Sequence, residues 1–149
     1  MIRFSKKTEY AIIAMSHMAE KPAGELTSCR EMAEQYNISD EVLSKVLQGL
    51  ARNRVVVSVQ GTKGGYQIQR PLEQISIREI VSAIDEPLQL VDCFGKEEEC
   101  TCEQLPNCNI KNPMHQIQLL LESFFDSVSL KDFKEKSWML QMQNTFHQS

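Results

Sequence analysis

The stretch Leu26–Asn53, LTSCREMAEQYNISDEVLSKVLQGLARN, decides how this chain folds. With Thr27 or Ser28 as N-cap, and Glu31 three residues on from Ser28 at the spacing of a capping box, the sequence predicts a helix from about Ser28 to Tyr36. Asn37, which tolerates the left-handed cap conformation, ends it. Ser39 then caps a second helix, in which Val42, Leu43, Val46, Leu47 and Leu50 recur at helical spacing and form a buried stripe. Two helices joined this tightly are the signature of a helix-turn-helix.

Upstream, Ala11, Ile12, Met15, Met18 and Ala19 predict a helix from Ser5 to about Glu20, stopped by Lys21-Pro22. Downstream, VVVSVQGTKGGYQIQRP (55–71) places two strand-like runs on either side of a glycine-rich tip, and so predicts a hairpin closed by Pro71. A hairpin directly after a helix-turn-helix is a wing, with Tyr66 packed at its base. A fourth helix is expected from Ser76 to Asp85. From Pro113 a long helix carries Met114, Ile117, Leu120, Leu121, Phe124, Phe125 and Val128. That stripe is too wide and too aromatic for so small a domain unless it packs on a second copy of itself. Ser129 caps a short last helix. The expected fold is mainly α with a small β-wing: a winged helix-turn-helix domain over 1–85, a cysteine-rich segment over 86–112, and a long dimerisation helix with a C-terminal helix over 113–149.

The chain of 149 residues carries a net charge of -4, which by itself speaks against nucleic acid. Divided in two, the picture changes. Residues 1–75 hold 10 Lys+Arg against 8 Asp+Glu, whereas residues 76–149 hold 6 against 12. The N-terminal half is therefore the only electrostatic footprint for DNA. No apolar run is long enough to span a bilayer, and MIRFSKKTEYAII lacks a secretory signal, so a cytoplasmic protein is expected.

Four of the five cysteines, Cys93, Cys100, Cys102 and Cys108, crowd into DCFGKEEECTCEQLPNC (92–108). In a reducing compartment such a cluster points to a metal or an iron–sulfur group rather than to disulfides. A structural zinc site is the plainer alternative, but the loop lacks the CxxC pairs usual for zinc. A redox pair of Cys100 and Cys102 lacks the usual two-residue spacing. Cys29, outside the cluster, reads as a small packing residue.

The order SKKTEYAIIAM, LTSCREMAEQYNIS, GTKGGYQIQRP and then a cysteine cluster resembles the bacterial regulators typified by IscR, NsrR and RirA, over nearly the whole chain. The resemblance implies a homodimeric transcription factor, a repressor rather than an activator, on a pseudo-palindromic double-stranded operator. It further implies one iron–sulfur cluster per subunit, of the 2Fe–2S or 4Fe–4S type. In that family the last two cysteine ligands are separated by five intervening residues, as Cys102 and Cys108 are, and Cys93 matches the first. Cys100 is an additional candidate for the middle ligand. Where IscR-type members supply a histidine, this chain has Lys111, with His115 a helical turn further on. Where some NsrR-type members supply an acidic residue from the first helix of the other subunit, it has Glu9.

In a helix-turn-helix the recognition helix faces base edges and the wing reaches backbone or minor groove. Ser39, Glu41, Ser44, Lys45 and Gln48 are the polar candidates on that helix. Lys suits guanine and Gln suits adenine. Asp40 is read as a partner of the helix dipole instead. At the wing, Gly61 and Gly64 shape the tip that carries Lys63. Arg3, Ser5, Lys6, Lys7, Thr27 and Ser28 are candidate phosphate contacts. Two rivals share parts of this pattern: a cluster-free winged-helix regulator answering to a protein or small molecule, and an iron–sulfur electron carrier. No constellation of nucleophile, base or phosphate loop suggests an enzyme.

Overall fold

The computed structural model describes residues 3–84, 88–94 and 100–136. Among these residues, six helices and one hairpin follow in order: α1 (Lys6–Glu20), α2 (Cys29–Tyr36), α3 (Asp40–Arg52), β1 (Val57–Val59), β2 (Gly65–Gln67), α4 (Ile77–Ser82), α5 (Lys111–Ser127) and α6 (Leu130–Glu135). Short 3-10 turns at Leu72–Gln74 and Leu105–Asn107 lie between them. The architecture is the expected one, helical with a two-stranded antiparallel wing.

Serine starts four of the helices by the same chemistry. The hydroxyls of Ser5, Ser28, Ser76 and Ser129 accept from the backbone N–H of Thr8, Glu31, Glu79 and Asp132. Each cap satisfies an amide that the helix leaves unpaired, worth about 1 kcal/mol. The reciprocal half of the box forms only at Ser129 and Asp132. At Ser28 it does not, because the Glu31 carboxylate turns to Lys21 Nζ at 2.8 Å. Ser39 precedes α3 as expected, yet its hydroxyl makes no capping bond. Asn37 ends α2 at φ 52°, in the left-handed conformation.

Met15, Met32, Leu43, Leu47, Leu50, Ile75, Ile80 and Leu130 are fully buried and bring α1 to α4 and α6 into one core. Each large apolar side chain withdrawn from water stabilises the fold by roughly 1.5–3 kcal/mol. Val55 and Val56, expected in the first strand, are buried at 1% and 2% exposure and belong to this core instead. The left-handed turn at Arg54 (φ 59°) drives them inward, and the strand begins only at Val57. Helix α5 begins at Lys111, two residues before Pro113. Behind it the chain returns to the core, where Ile77 N donates to Val128 O at 2.9 Å and Leu130 N to Ile75 O at 2.7 Å. The end of the expected fourth helix at Asp85 lies outside the described residues.

Candidate nucleic-acid interface and cysteine segment

Helix α3 lays its apolar stripe on α1 and α2 and turns Glu41, Ser44, Lys45 and Gln48 outward. Those four residues pair among themselves one turn apart: Lys45 Nζ with Glu41 Oε1 at 2.9 Å, and Gln48 Nε2 donating to Ser44 Oγ at 3.2 Å. Hydrogen bonding to Lys45 holds the Glu41 carboxyl below its ordinary range, with the ammonium's charge adding to it. Both partners are largely exposed, so water screens the pair, and it yields readily to a phosphate or base. Ser39 stands exposed at the start of the same helix.

The wing is fastened at its base and free at its tip. Tyr66 and Thr27 exchange backbone hydrogen bonds, 2.8 Å from Tyr66 N and 2.9 Å from Thr27 N, which adds a bridge beside the two strands. Tyr66 packs half-buried against the core, as expected of a wing base. At the tip Gly64 N donates to Gly61 O at 3.0 Å, and Lys63 projects exposed between them. A Cβ on Gly64 would lie 2.1 Å from Val59 O, so only glycine fits the turn.

Of the phosphate candidates, Thr27 is fully buried, which removes its side chain from any DNA surface. Its neighbour Ser28 is exposed, with its hydroxyl already accepting from Glu31 N. Ser5 caps α1, and Lys6 Nζ bonds the Glu9 carboxylate at 2.6 Å. Arg3 and Lys7 are exposed on the same edge. His17 is buried between α1 and α2, its Nδ1 2.9 Å from the Tyr36 hydroxyl.

All five cysteines are free thiols and half-buried. Cys93 Sγ lies 3.6 Å from His115 Nε2, and the His115 ring meets Phe94 edge to face with centroids 5.4 Å apart. Cys102 Sγ points to Gln104 Oε1 at 3.5 Å, and Cys108 follows the 3-10 turn just ahead of α5. Among the described residues, no three His, Cys, Asp or Glu side chains converge as a metal group. The acidic run Glu97–Glu99 lies outside the described residues. By type, thiolates with a neighbouring imidazole are the donors that iron and iron–sulfur groups take.

A residue that reads as merely polar in the sequence organises this region. Gln118 on α5 is fully buried. Its Oε1 accepts from Leu90 N at 2.7 Å, and its Nε2 donates to Leu88 O and, at 2.9 Å, to Glu122 Oε1. Arg78 on α4 pairs with Glu122 at 2.8 Å, and Ser76 with Asp126 at 3.2 Å. The α5 face bearing His115, Gln118, Glu122 and Asp126 thus holds the segment ahead of Cys93 and the start of α4. At its far end α4 is joined to α3, where Asn53 Nδ2 donates to Ala83 O at 3.2 Å. Elsewhere on α5, Ile117, Leu119 and Leu120 are 49%, 50% and 70% exposed.

Residues 4–136 match the model of the Rrf2 family, described as iron-dependent transcriptional regulators. The HTH-type transcriptional regulator NsrR of Shouchella clausii is 28% identical over 131 residues, covering 88% of this chain and 87% of that protein. NsrR of Halalkalibacterium halodurans is also 28% identical, over 88% and 89%. Among solved structures, CymR of Staphylococcus aureus superposes with a TM-score of 0.67 at 27% identity, over 88% of this chain and 97% of that one. IscR of T. potens shares the fold at a TM-score of 0.62 and 21% identity, over 91% and 88%. No described helix is long and apolar enough to cross a membrane.

Proposed function

The chain belongs to the Rrf2 family of transcriptional regulators, and from that premise we propose that it grips its operator as a cytoplasmic homodimer under the control of an iron–sulfur cluster held in the cysteine segment. Lys45 and Gln48 read base edges, with Ser39, Glu41 and Ser44 tuning the choice. Lys63 at the wing tip, between Gly61 and Gly64, and the Ser28 edge of α2 meet phosphates. Ile117 and Leu120, one turn apart on α5, give the dimer its apolar contact, since large apolar side chains left exposed together on one helix face usually mark an interface.

Cys93, Cys102 and Cys108 supply thiolates, with Cys100 as the alternative middle donor. For the fourth position the protein offers His115 of the same chain or Glu9 of the partner subunit. A bound cluster would supply a charge and reactivity that change with iron supply, nitric oxide or redox state. One observation carries this reading: the set of bonds from Leu88 and Leu90 through Gln118, Glu122 and Arg78 to α4, and from Ala83 to Asn53, which caps the C-terminus of α3. Ordering the cysteine segment therefore bears mechanically on the recognition helix. With the cluster in place the dimer sits on promoter DNA and represses. Coupling of this kind is a free energy shared by two sites, so it is measurable from either one.

The same build without a cluster, answering to a partner protein or small molecule, has its own support, because no third metal donor joins Cys93 and His115 among the described residues. Anaerobic purification separates the two readings. Iron, sulfide and visible absorption support the cluster. Colourless protein that resists reconstitution, yet still retards promoter DNA, supports the alternative.

A further inference from the structure

Between α4, α5 and the segment 88–94 lies a cavity of about 230 Å³. Val81, Leu88, Phe94 and Phe125 give it apolar walls, and Arg78 and Glu122 line it side by side, 2.8 Å apart. Pockets for drug-sized ligands start at about 300 Å³, so this one suits a smaller molecule.

The charged pair has capacity to spare. A guanidinium carries more N–H donors, and a carboxylate more lone pairs, than one ion pair uses. Among the described residues, Arg78 donates to Glu122 Oε2, and Glu122 Oε1 accepts from Gln118 Nε2 at 2.9 Å. The Arg78 side chain is 45% exposed, within reach of a ligand. A lone carboxylate entering here meets Arg78 but is repelled by Glu122, and a lone amine meets the reverse. A molecule bearing both charges close together satisfies both partners. An α-amino acid carries its ammonium and its carboxylate on the same carbon, and an apolar side chain on that carbon matches the walls.

We propose, building on the operator-binding reading above and independently of the cluster, that this cavity is an effector site for a free α-amino acid with an apolar side chain. Its carboxylate sits on Arg78 and its ammonium on Glu122. Occupancy reaches the DNA-binding elements through bonds already in place. Leu88 O accepts from Gln118 on α5, and α4 meets Asn53 at the C-terminus of α3 through Ala83 O. A ligand wedged between α4 and α5 thus shifts operator affinity.

The test is isothermal titration calorimetry of the full chain with L-leucine and L-methionine. Isocaproate and isoamylamine, which are leucine without its ammonium and without its carboxylate, serve as controls. Ser82 lines the cavity from an exposed position on α4, so Ser82→Trp fills the space without cutting into the core. Saturable binding of an amino acid, about tenfold or more tighter than either control and lost in Ser82→Trp, is the expected result. In Arg78→Gln, leucine should bind no better than isoamylamine. Promoter affinity measured by fluorescence anisotropy should change with the amino acid present. No saturable binding of either amino acid, a control that binds equally well, undiminished binding by folded Ser82→Trp, or binding that leaves promoter affinity unchanged overturns the proposal. Each of those outcomes leaves operator binding itself intact. Wild-type protein that fails to retard promoter DNA defeats the operator reading instead, and the calorimetry still decides the cavity.

Discussion

Thr27 and Tyr66 bind each other through two backbone hydrogen bonds, and this bridge ties the wing to the entrance of α2. The bridge depends on Gly65, where a Cβ would lie 2.6 Å from Thr27 O and so would force the strands apart. Gly65→Ala should cost about 1–3 kcal/mol of stability. It should also weaken operator binding more than the lost stability explains, because the wing tip loses its aim. Denaturant titration alongside fluorescence anisotropy on promoter DNA reads both effects. Unchanged anisotropy would exclude the wing from binding.

Lys45 is bonded to Glu41 on the exposed face of α3, in a pair too hydrated to hold the fold together. Lys45→Ala should therefore leave stability within about 0.5 kcal/mol. Operator affinity should fall by about 1–3 kcal/mol, roughly tenfold or more, if Lys45 reads a base. Glu41→Gln frees the ammonium and should raise affinity for non-specific DNA. Titrations at several salt concentrations separate a base contact from a phosphate contact, since loss of a phosphate contact lowers the salt slope by about one.

Gln118 answers three polar groups while fully buried. Gln118→Leu keeps most of the volume but strands Leu90 N and Leu88 O, at a cost of about 2–4 kcal/mol. Hydrogen exchange at the Leu90 amide should accelerate sharply. Protection as in the wild type would mean that the segment is held by something other than this side chain.

Glu31 is held below the usual carboxylate range, first by hydrogen bonding from Lys21 and further by that ammonium's charge, with His17 adding to the effect. A depressed folded-state pKa gives stability that is present above the unfolded carboxylate value and is lost as pH falls through the folded one. Stability should thus begin to decline as pH falls below the ordinary glutamate value of about 4.3, and the contribution is lost once pH passes below the depressed folded value. Glu31→Gln should flatten that part of the profile. Denaturant midpoints from neutral to acid pH in both proteins give the comparison, and parallel curves would remove Glu31 from the account of acid sensitivity.

Leu120 is 70% exposed on the outer face of α5. Leu120→Glu should convert a dimer to a monomer in sedimentation, with the isolated subunit still folded. Operator affinity should drop with it, because one half-site alone holds DNA weakly. A wild-type protein that sediments as a monomer would assign that face to a different partner.

Local chemistry made much of this fold legible from sequence. The cap at Ser28, the left-handed Asn37 and the stripe of Leu43, Val46, Leu47 and Leu50 are each set within a few residues, and each lies where spacing put it. Val55 and Val56 were harder, because a β-branched run reads the same whether it pairs in a hairpin or plugs a core. Thr27 reads as a surface hydroxyl until the wing folds over it. Gln118 is a polar letter on an apolar helix, and its partners Leu88 and Leu90 lie 30 and 28 residues away. The meeting of Cys93 with His115 is likewise long-range, and spacing along the chain gave His115 no distinction over Lys111.

Cluster control of operator binding is measured most directly by titrating promoter DNA with one anaerobic preparation before and after its iron is removed. Cluster-dependent repression requires the holo dimer to bind at least tenfold more tightly than the apo dimer at the same salt, a difference of about 1.4 kcal/mol. Equal affinities for the two forms would contradict it.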